Sequence, residues 1–261
     1  PSLIEGIPKM LSSLAMTCFL LLASLVILRD LVMTEARFIP SFGRRKTRKL
    51  RTHSQKALDE ILPRLRLSLD QKGRALPQDE VWLEIGFGGG EHFLEQLRQN
   101  PSISMIGCEP YTNGVAKLLM HLSPGDYGRV FLWTEDVRYL LGSIPPSYFS
   151  CVFILFPDPW PKNRHSQRRL ISKEFMEQLW PTLQEGAFLY VASDNPSYIA
   201  HIWDALHDFP GLILCEGPSS ADPHTWASRP QDWPATRYEQ KALKQGKKCA
   251  YMRFQKREMA N

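Results

Sequence analysis

From residue 81 onward the chain alternates short apolar runs with segments whose apolar residues recur at helical spacing. The runs at 81–85, 103–108, 130–133, 151–156 and 187–192 read as strands. Helical spacing occupies 91–97, 113–122, 137–141, 175–183 and 198–206, and further strands are expected at 211–216 and 250–255. Strands separated by helices predict an α/β fold with a doubly wound, parallel sheet. Ligands of such sheets bind beyond the C-terminal ends of the strands. No internal repeat or low-complexity segment interrupts the pattern. The one long irregular stretch, 217–236, is rich in Pro, Ser, Asp and Trp, and a loop of that length is usually functional or mobile.

Upstream of residue 81 the pattern changes. Residues 10–28 hold no charged side chain and are flanked by Lys9 and Arg29, about the length a bilayer requires. Two readings follow: a single membrane anchor, or sequence that precedes a true start at Met33. The second is the expectation. A signal peptide is disfavoured, because a basic stretch rather than an A-x-A-like cleavage site follows. If the span is genuine, its basic C-terminal flank puts the remainder in the cytoplasm. Both readings give a cytoplasmic body, with membrane contact only in the first.

Charge sharpens this division. Over residues 44–74 eleven basic side chains oppose three acidic ones, a local charge of +8 in a chain whose total is +5, so the remainder is −3. The basic character is therefore a local arm suited to phosphate binding, or equally a solvated tail or juxtamembrane lipid contact. Within it, 57–65 reads as a helix with Leu58, Ile61, Leu62 and Leu65 on one face. The expected organisation is an apolar segment at 1–32, a basic arm with its helix at 33–76, and the main domain at 77–261.

Composition removes other classes. With 261 residues, 43% of them hydrophobic and 23% charged, the chain is neither disordered nor too short for a full core. Five cysteines, at 18, 108, 151, 215 and 249, are too scattered for a disulfide scaffold, and no pair has the C-x-x-C spacing of a zinc ribbon. Reduced thiols and no metal are the expectation.

The first chemical signal is Glu84-Ile85-Gly86-Phe87-Gly88-Gly89-Gly90-Glu91, directly after the first strand of the domain and before a helix. Glycines there allow a ligand close to the backbone. A nicotinamide dinucleotide site would need glycine at 91, where a glutamate stands and would repel a pyrophosphate. The loop suits a phosphate-free cofactor such as S-adenosylmethionine. Glu109 follows the second strand, where a carboxylate can accept both ribose hydroxyls of an adenosine or cap a helix from the surface. Asp136 follows the third, where it can meet an adenine amino group or serve as a helix N-cap.

The second signal is sharper. The fourth strand runs into Pro157-Asp158-Pro159-Trp160-Pro161-Lys162, then Asn163-Arg164-His165-Ser166-Gln167-Arg168-Arg169. Prolines fix the turn, Asp158 supplies charge, Trp160 offers a stacking face, and the basic run behind suits a nucleic-acid backbone. Asp194, after the fifth strand, reads by itself as an N-cap, and Thr236-Arg237-Tyr238-Glu239 carries no meaning alone.

Taken together, LEIGFGGGEHF, EPYTNGVAKLL, FPDPWPKNRHSQRR and TRYEQKAL resemble the tRNA (guanine-N7-)-methyltransferase family of the bacterial TrmB type, over roughly residues 38–257. The resemblance implies a seven-stranded, Rossmann-like class I methyltransferase fold. It implies methyl transfer from S-adenosylmethionine to N7 of guanine at position 46, in the variable loop of tRNA. Glu84, Gly86, Gly88, Gly90, Glu109, Asp136 and Asp158 would contact the cofactor, with Asp158 also at the catalytic point. Lys162, Arg164, His165, Arg168, Arg169, Asp194, Thr236, Arg237, Tyr238 and Glu239 would face the tRNA, in a monomer or homodimer. Arg237 and Tyr238 stand where many members have Lys and Phe, and Gly89 where many have a larger residue. Residues 10–28 have no counterpart in the family.

The implied chemistry is mainly positioning. N7 has an exposed lone pair and needs no deprotonation, and the product base is cationic. Asp158 therefore reads as an electrostatic group rather than a general base. Rival readings are a class I methyltransferase acting on another base position, a non-catalytic RNA-binding relative, and a nicotinamide oxidoreductase. The order Pro-Asp-Pro-Trp departs from the [DN]-P-P-[YFW] of exocyclic-amine enzymes. The intact glycine loop argues against a mere binder, and Glu91 against the oxidoreductase.

Overall fold

The computed structural model describes residues 45, 49–68, 75–222, 226, 229–230 and 233–257. Residues 10–28, and residues 44, 46–48 and 69–74 of the basic arm, lie outside them, so the reading of 10–28 as an anchor or as sequence before a true start falls outside the described residues.

A seven-stranded sheet organises the fold, with strands β1 (Val81–Ile85), β2 (Ser104–Cys108), β3 (Val130–Trp133), β4 (Phe149–Leu155), β5 (Leu183–Ser193), β6 (Leu212–Glu216) and β7 (Ala250–Lys256) in the order β3-β2-β1-β4-β5-β7-β6. The first five run parallel, and β7 is antiparallel to both β5 and β6. The chain winds outward from β1 to β3 and then restarts at β4 on the other side of β1. This places the topological switch point, where such sheets hold ligands, at the C-terminal ends of β1 and β4.

Both faces are covered, and β4 shows how. Val152 and Ile154 point into one apolar cluster, shared with Phe175, Met176, Tyr198 and Ile202 of the helices on that side. Cys151, Phe153 and Leu155 point to the opposite face, where Trp233, Ala242 and Tyr251 cover them. Period-two side chains buried on both faces leave no polar position, which is why these strands read as continuous apolar runs.

Helices α1 (Thr52–Glu60), α2 (Leu62–Leu65), α3 (Glu91–Gln99), α4 (Thr112–His121), α5 (Val137–Leu141), α6 (Lys173–Leu179), α7 (Pro196–Leu206) and α8 (Arg237–Lys244) complete the described architecture. The helix expected at 57–65 begins earlier and breaks at Ile61, because Pro63 lies in the first turn of α2 and cannot continue the α1 hydrogen-bond ladder. Ala57, Leu58 and Leu65 still pack with Val115, Leu118 and Leu119 of α4. Leu67 then donates its amide to the Leu132 carbonyl at 2.9 Å, joining the arm to the edge of the sheet.

The helix expected at 175–183 also divides. It ends at Leu179, Pro181 sits in a short 3-10 turn, and β5 starts at Leu183, four residues before its expected start. A register shift on β4 lets Leu183 pair with Phe149.

Candidate active site

Five acidic residues mark the C-terminal ends of the five parallel strands, three of them buried there. Glu84 is on β1, Glu109 follows β2, Asp136 follows β3, Asp158 follows β4 and Asp194 follows β5. The backbone around them is held in unusual conformations. Gly86, Gly88 and Gly90 all have positive φ, and Gly90 is the left-handed N-cap of α3. At Gly88 (φ +55°) a side chain would meet the Tyr238 ring, with an added Cβ only 3.2 Å from Cε2. Glycine is what permits that approach.

Glu109 joins two of these loops. Its Oε2 accepts from the Gly88 amide at 2.7 Å and its Oε1 from the Tyr111 amide at 2.8 Å. The side chain is 7% exposed. Burial pushes its carboxyl above the ordinary value, and the two amides oppose that shift. Tyr238 is likewise raised, first by burial and then by the charges of Glu109 and Asp158. The ends of β2 and β4 and the first turn of α8 therefore share one electrostatic neighbourhood. Beside it lies a cleft of about 350 Å³ lined by Gly88, Gly89, Tyr111, Lys117, Arg237 and Tyr238 among others.

Glu91 also lines this cleft and pairs with Lys117. Burial acts to raise its carboxyl, but Lys117, a backbone amide and the charge of Arg237 outweigh that and hold it low.

The proline turn is strained at both ends. Phe156 (φ 52°) and Trp160 (φ 42°) are non-glycine residues in the left-handed region, a cost of about 1–3 kcal/mol each, characteristic of sites whose geometry is imposed by their surroundings. The Phe156 amide is fixed by the Ala192 carbonyl at 2.8 Å. Asp158 is exposed and, among the described residues, makes no hydrogen bond or ion pair. A 3-10 turn, Asn163–Arg168, follows with Lys162 as its N-cap. Lys162 and Arg164 are exposed. The Arg168 guanidinium lies 5.1 Å from the Trp160 ring centre, and His165 meets the same ring edge-on at 5.9 Å. Desolvation, then the charges of Arg168, Arg164 and Lys162, push the His165 imidazole below its ordinary value.

Other expected residues lie deeper. Arg169 is buried, donating to the Pro159 carbonyl and to Ser197. Glu239 is 3% exposed and closes a capping box with Thr236 at the start of α8. It also accepts from the Tyr251 hydroxyl at 2.6 Å and pairs with Arg229 at 2.9 Å. Asp136 is the N-cap of α5 and is held bidentately by Arg138 at 2.8 and 2.7 Å. Asp194 pairs with Lys247 at 2.7 Å, and the N-cap of α7 is its neighbour Asn195, not Asp194 as the sequence suggests. Glu84 is 3% exposed and bonded to His92 at 2.8 Å.

His92, Lys117 and Arg138 were not expected from sequence. His92 alone left a signal: it shares a helix face with Gln96 at four-residue spacing, beside the apolar pair Phe93 and Leu97. Among the described residues no group of three or more His, Cys, Asp or Glu can hold a metal ion, and no helix is long and apolar enough to cross a membrane.

A glycine loop at the switch point, ringed by strand-end carboxylates, defines a methyltransferase of the Rossmann-like, seven-stranded class. A family model described as "Putative methyltransferase" matches residues 78–252. A tRNA (guanine-N(7)-)-methyltransferase of Rhodospirillum rubrum is 40% identical over 239 residues, covering 87% of this chain and 90% of its own. Proteins of the same name from Paramagnetospirillum magneticum and a Ruegeria species are 42% and 38% identical, covering 77% and 83% of this chain and 87% and 88% of theirs. The chain belongs to the tRNA (guanine-N(7)-)-methyltransferase family.

Proposed function

We propose that this protein methylates N7 of guanine 46, in the variable loop of tRNA, using S-adenosylmethionine. The observation that carries the reading is the meeting of Gly88, Glu109, Asp158 and Tyr238 at the switch point of the sheet, in a chain of this family.

The residues fit such a cofactor. Gly88 offers bare backbone where a Cβ would crowd a neighbouring ring. Each Glu109 oxygen already accepts one backbone amide and keeps a second lone pair for a ribose hydroxyl. The acidic set at the strand ends favours a cation and disfavours a phosphate. S-adenosylmethionine, when bound, supplies a methyl group already activated on a sulfonium.

The chain's own task is then orientation and charge. The strained turn presents Asp158 to the open side of the sheet, where a carboxylate favours the positive charge that N7 acquires. Tyr238, 55% exposed, offers a ring face to an unstacked base. Lys162, Arg164 and Arg168 on the adjoining turn supply charge for the RNA backbone.

The test uses the full chain, S-adenosylmethionine and an unmodified tRNA transcript. Reduction and aniline treatment cleave RNA at N7-methylguanine, and one break in the variable loop is the expected result. Methyl incorporation without a break would move the reaction to another atom, and no incorporation would overturn the reading. Asp158→Ala should lower turnover far more than cofactor affinity; equal losses would remove its catalytic role.

A further inference from the structure

Beneath the glycine loop lies a row of buried polar side chains: Glu84 on β1, and His92 and Gln96 on α3, continued by Asn100 at its C-cap. The hydrogen bonds of this row fix one another. Asn100 Nδ2 donates to the Gln96 backbone carbonyl at 3.0 Å, which sets the Asn100 amide. The same nitrogen reaches Gln96 Oε1 at 3.2 Å, which sets the Gln96 amide. Gln96 Nε2 therefore faces His92 Nε2, at 3.2 Å. An amide nitrogen only donates, so that ring nitrogen must accept and carry no proton. The imidazole proton is then on Nδ1, 2.8 Å from Glu84 Oε2. Phe153 packs edge-on against the ring at 4.7 Å and fixes its plane.

We propose that His92 is a positioning residue for cofactor binding: it donates from Nδ1 to Glu84 and holds that carboxylate in one orientation under the glycine loop. This inference rests on the reading of the loop as the S-adenosylmethionine site. Among the described residues His92 is the one hydrogen-bond partner of the Glu84 carboxylate. A buried carboxylate without a donor takes a proton or turns toward water. Glu84 stands two residues before Gly86, so either response alters the charge or the shape of the loop. The relay gives α3 a second task besides packing, because its polar face orients the acid of the strand that precedes it.

Calorimetry of S-adenosylmethionine binding to the full chain tests the proposal. His92→Leu removes the donor and should weaken binding by about tenfold or more, with the KM for tRNA little changed. His92→Asn keeps an N–H near the position of Nδ1 and should stay within about threefold of the wild type, although it disturbs the core packing as much. Equal losses in the two variants, in step with their thermal midpoints, would make His92 merely structural and overturn the proposal. Wild-type affinity in His92→Leu would also overturn it. A second measurement needs no cofactor. The ring ¹⁵N shifts of His92 in the ligand-free protein should show the neutral Nδ1–H form and should move in Glu84→Gln, whereas a proton on Nε2 would overturn the relay. If the wild type binds no S-adenosylmethionine, the proposed function fails and the nitrogen shifts still decide the relay.

Discussion

Arg169 donates from Nε to the carbonyl oxygen of Pro159 at 3.0 Å, across the proline turn that carries Asp158. Its other nitrogens reach the carbonyl and hydroxyl of Ser197 at 3.1 and 3.0 Å, in the first turn of α7. One buried guanidinium thus ties the turn after β4 to the helix after β5. Its neighbour Arg168 lies instead on the face of Trp160.

The two arginines should therefore fail differently. Arg169→Ala leaves buried acceptors without a donor and should destabilise the fold by about 1–3 kcal/mol, with turnover falling as Asp158 loses its fixed position. Arg168→Ala should destabilise the fold by less, about the 0.5–1 kcal/mol of a cation–π contact, and weaken tRNA binding. Denaturant midpoints and tRNA filter binding on both variants check this; equal destabilisation would refute the distinction.

In the run Arg164–Arg169 every arginine looks alike as a letter, and by resemblance the whole run would face the RNA. What separates Arg169 is a contact with Ser197, twenty-eight residues away, which no local pattern reveals. Glu239 is a parallel case, since its bonds to Tyr251 and Arg229 depend on where β7 and the long loop pass. The strands, the glycine loop and the strand-end carboxylates were legible in the apolar runs and in the residues that end them, whereas the strand order and the antiparallel β7, which depart from the parallel sheet expected, depend on long-range pairing. The element ends at Ile61 and Leu183 were less so. There the proline that broke each helix was visible, but the new partner of the freed backbone was not.

Gly114 lies in the first turn of α4, against the glycine loop. A Cβ there would sit 2.3 Å from the Gly88 carbonyl oxygen. Helix propensity alone favours alanine by about 1 kcal/mol. The backbone clash cannot be relieved by a rotamer, so Gly114→Ala should be net destabilising by about 1–3 kcal/mol and should weaken cofactor binding by displacing Gly88. Urea unfolding with an unchanged slope is the measurement. A stabilised variant would show that the loop yields freely.

The Glu109 carboxyl is pushed above its ordinary 4.5 by burial, against two opposing amides. A group raised in the folded state contributes stability that is fully present below its unfolded value and lost as pH rises through the folded one. Replacing it by the non-titrating amide removes this dependence. The midpoint of Glu109→Gln minus that of wild type should therefore rise in the variant's favour from about pH 4 to about pH 7, whatever constant offset the amide adds. A difference that is flat or falls with pH would contradict the raised value.

Arg237 and Lys241 are one helical turn apart on α8 and line the same cleft as Lys117. That cleft adjoins Gly88 and Tyr238, so an RNA strand that places its base against Tyr238 must carry backbone phosphate past these cations. Each phosphate neutralised releases counterions and steepens the dependence of affinity on salt. Lys241→Gln should thus weaken tRNA binding and lower the slope of log affinity against log salt by about one. S-adenosylmethionine affinity should change less than tRNA affinity, because the exposed Lys241 adds charge for a phosphate backbone that this cofactor lacks. Arg237→Gln should lower the salt slope similarly, while also weakening the charge that helps hold Glu91 ionised. The measurement is tRNA binding across a salt series for the wild type and both variants. Unaltered slopes in both would place the RNA backbone elsewhere on the basic surface and leave the turn Asn163–Arg168 as its main contact.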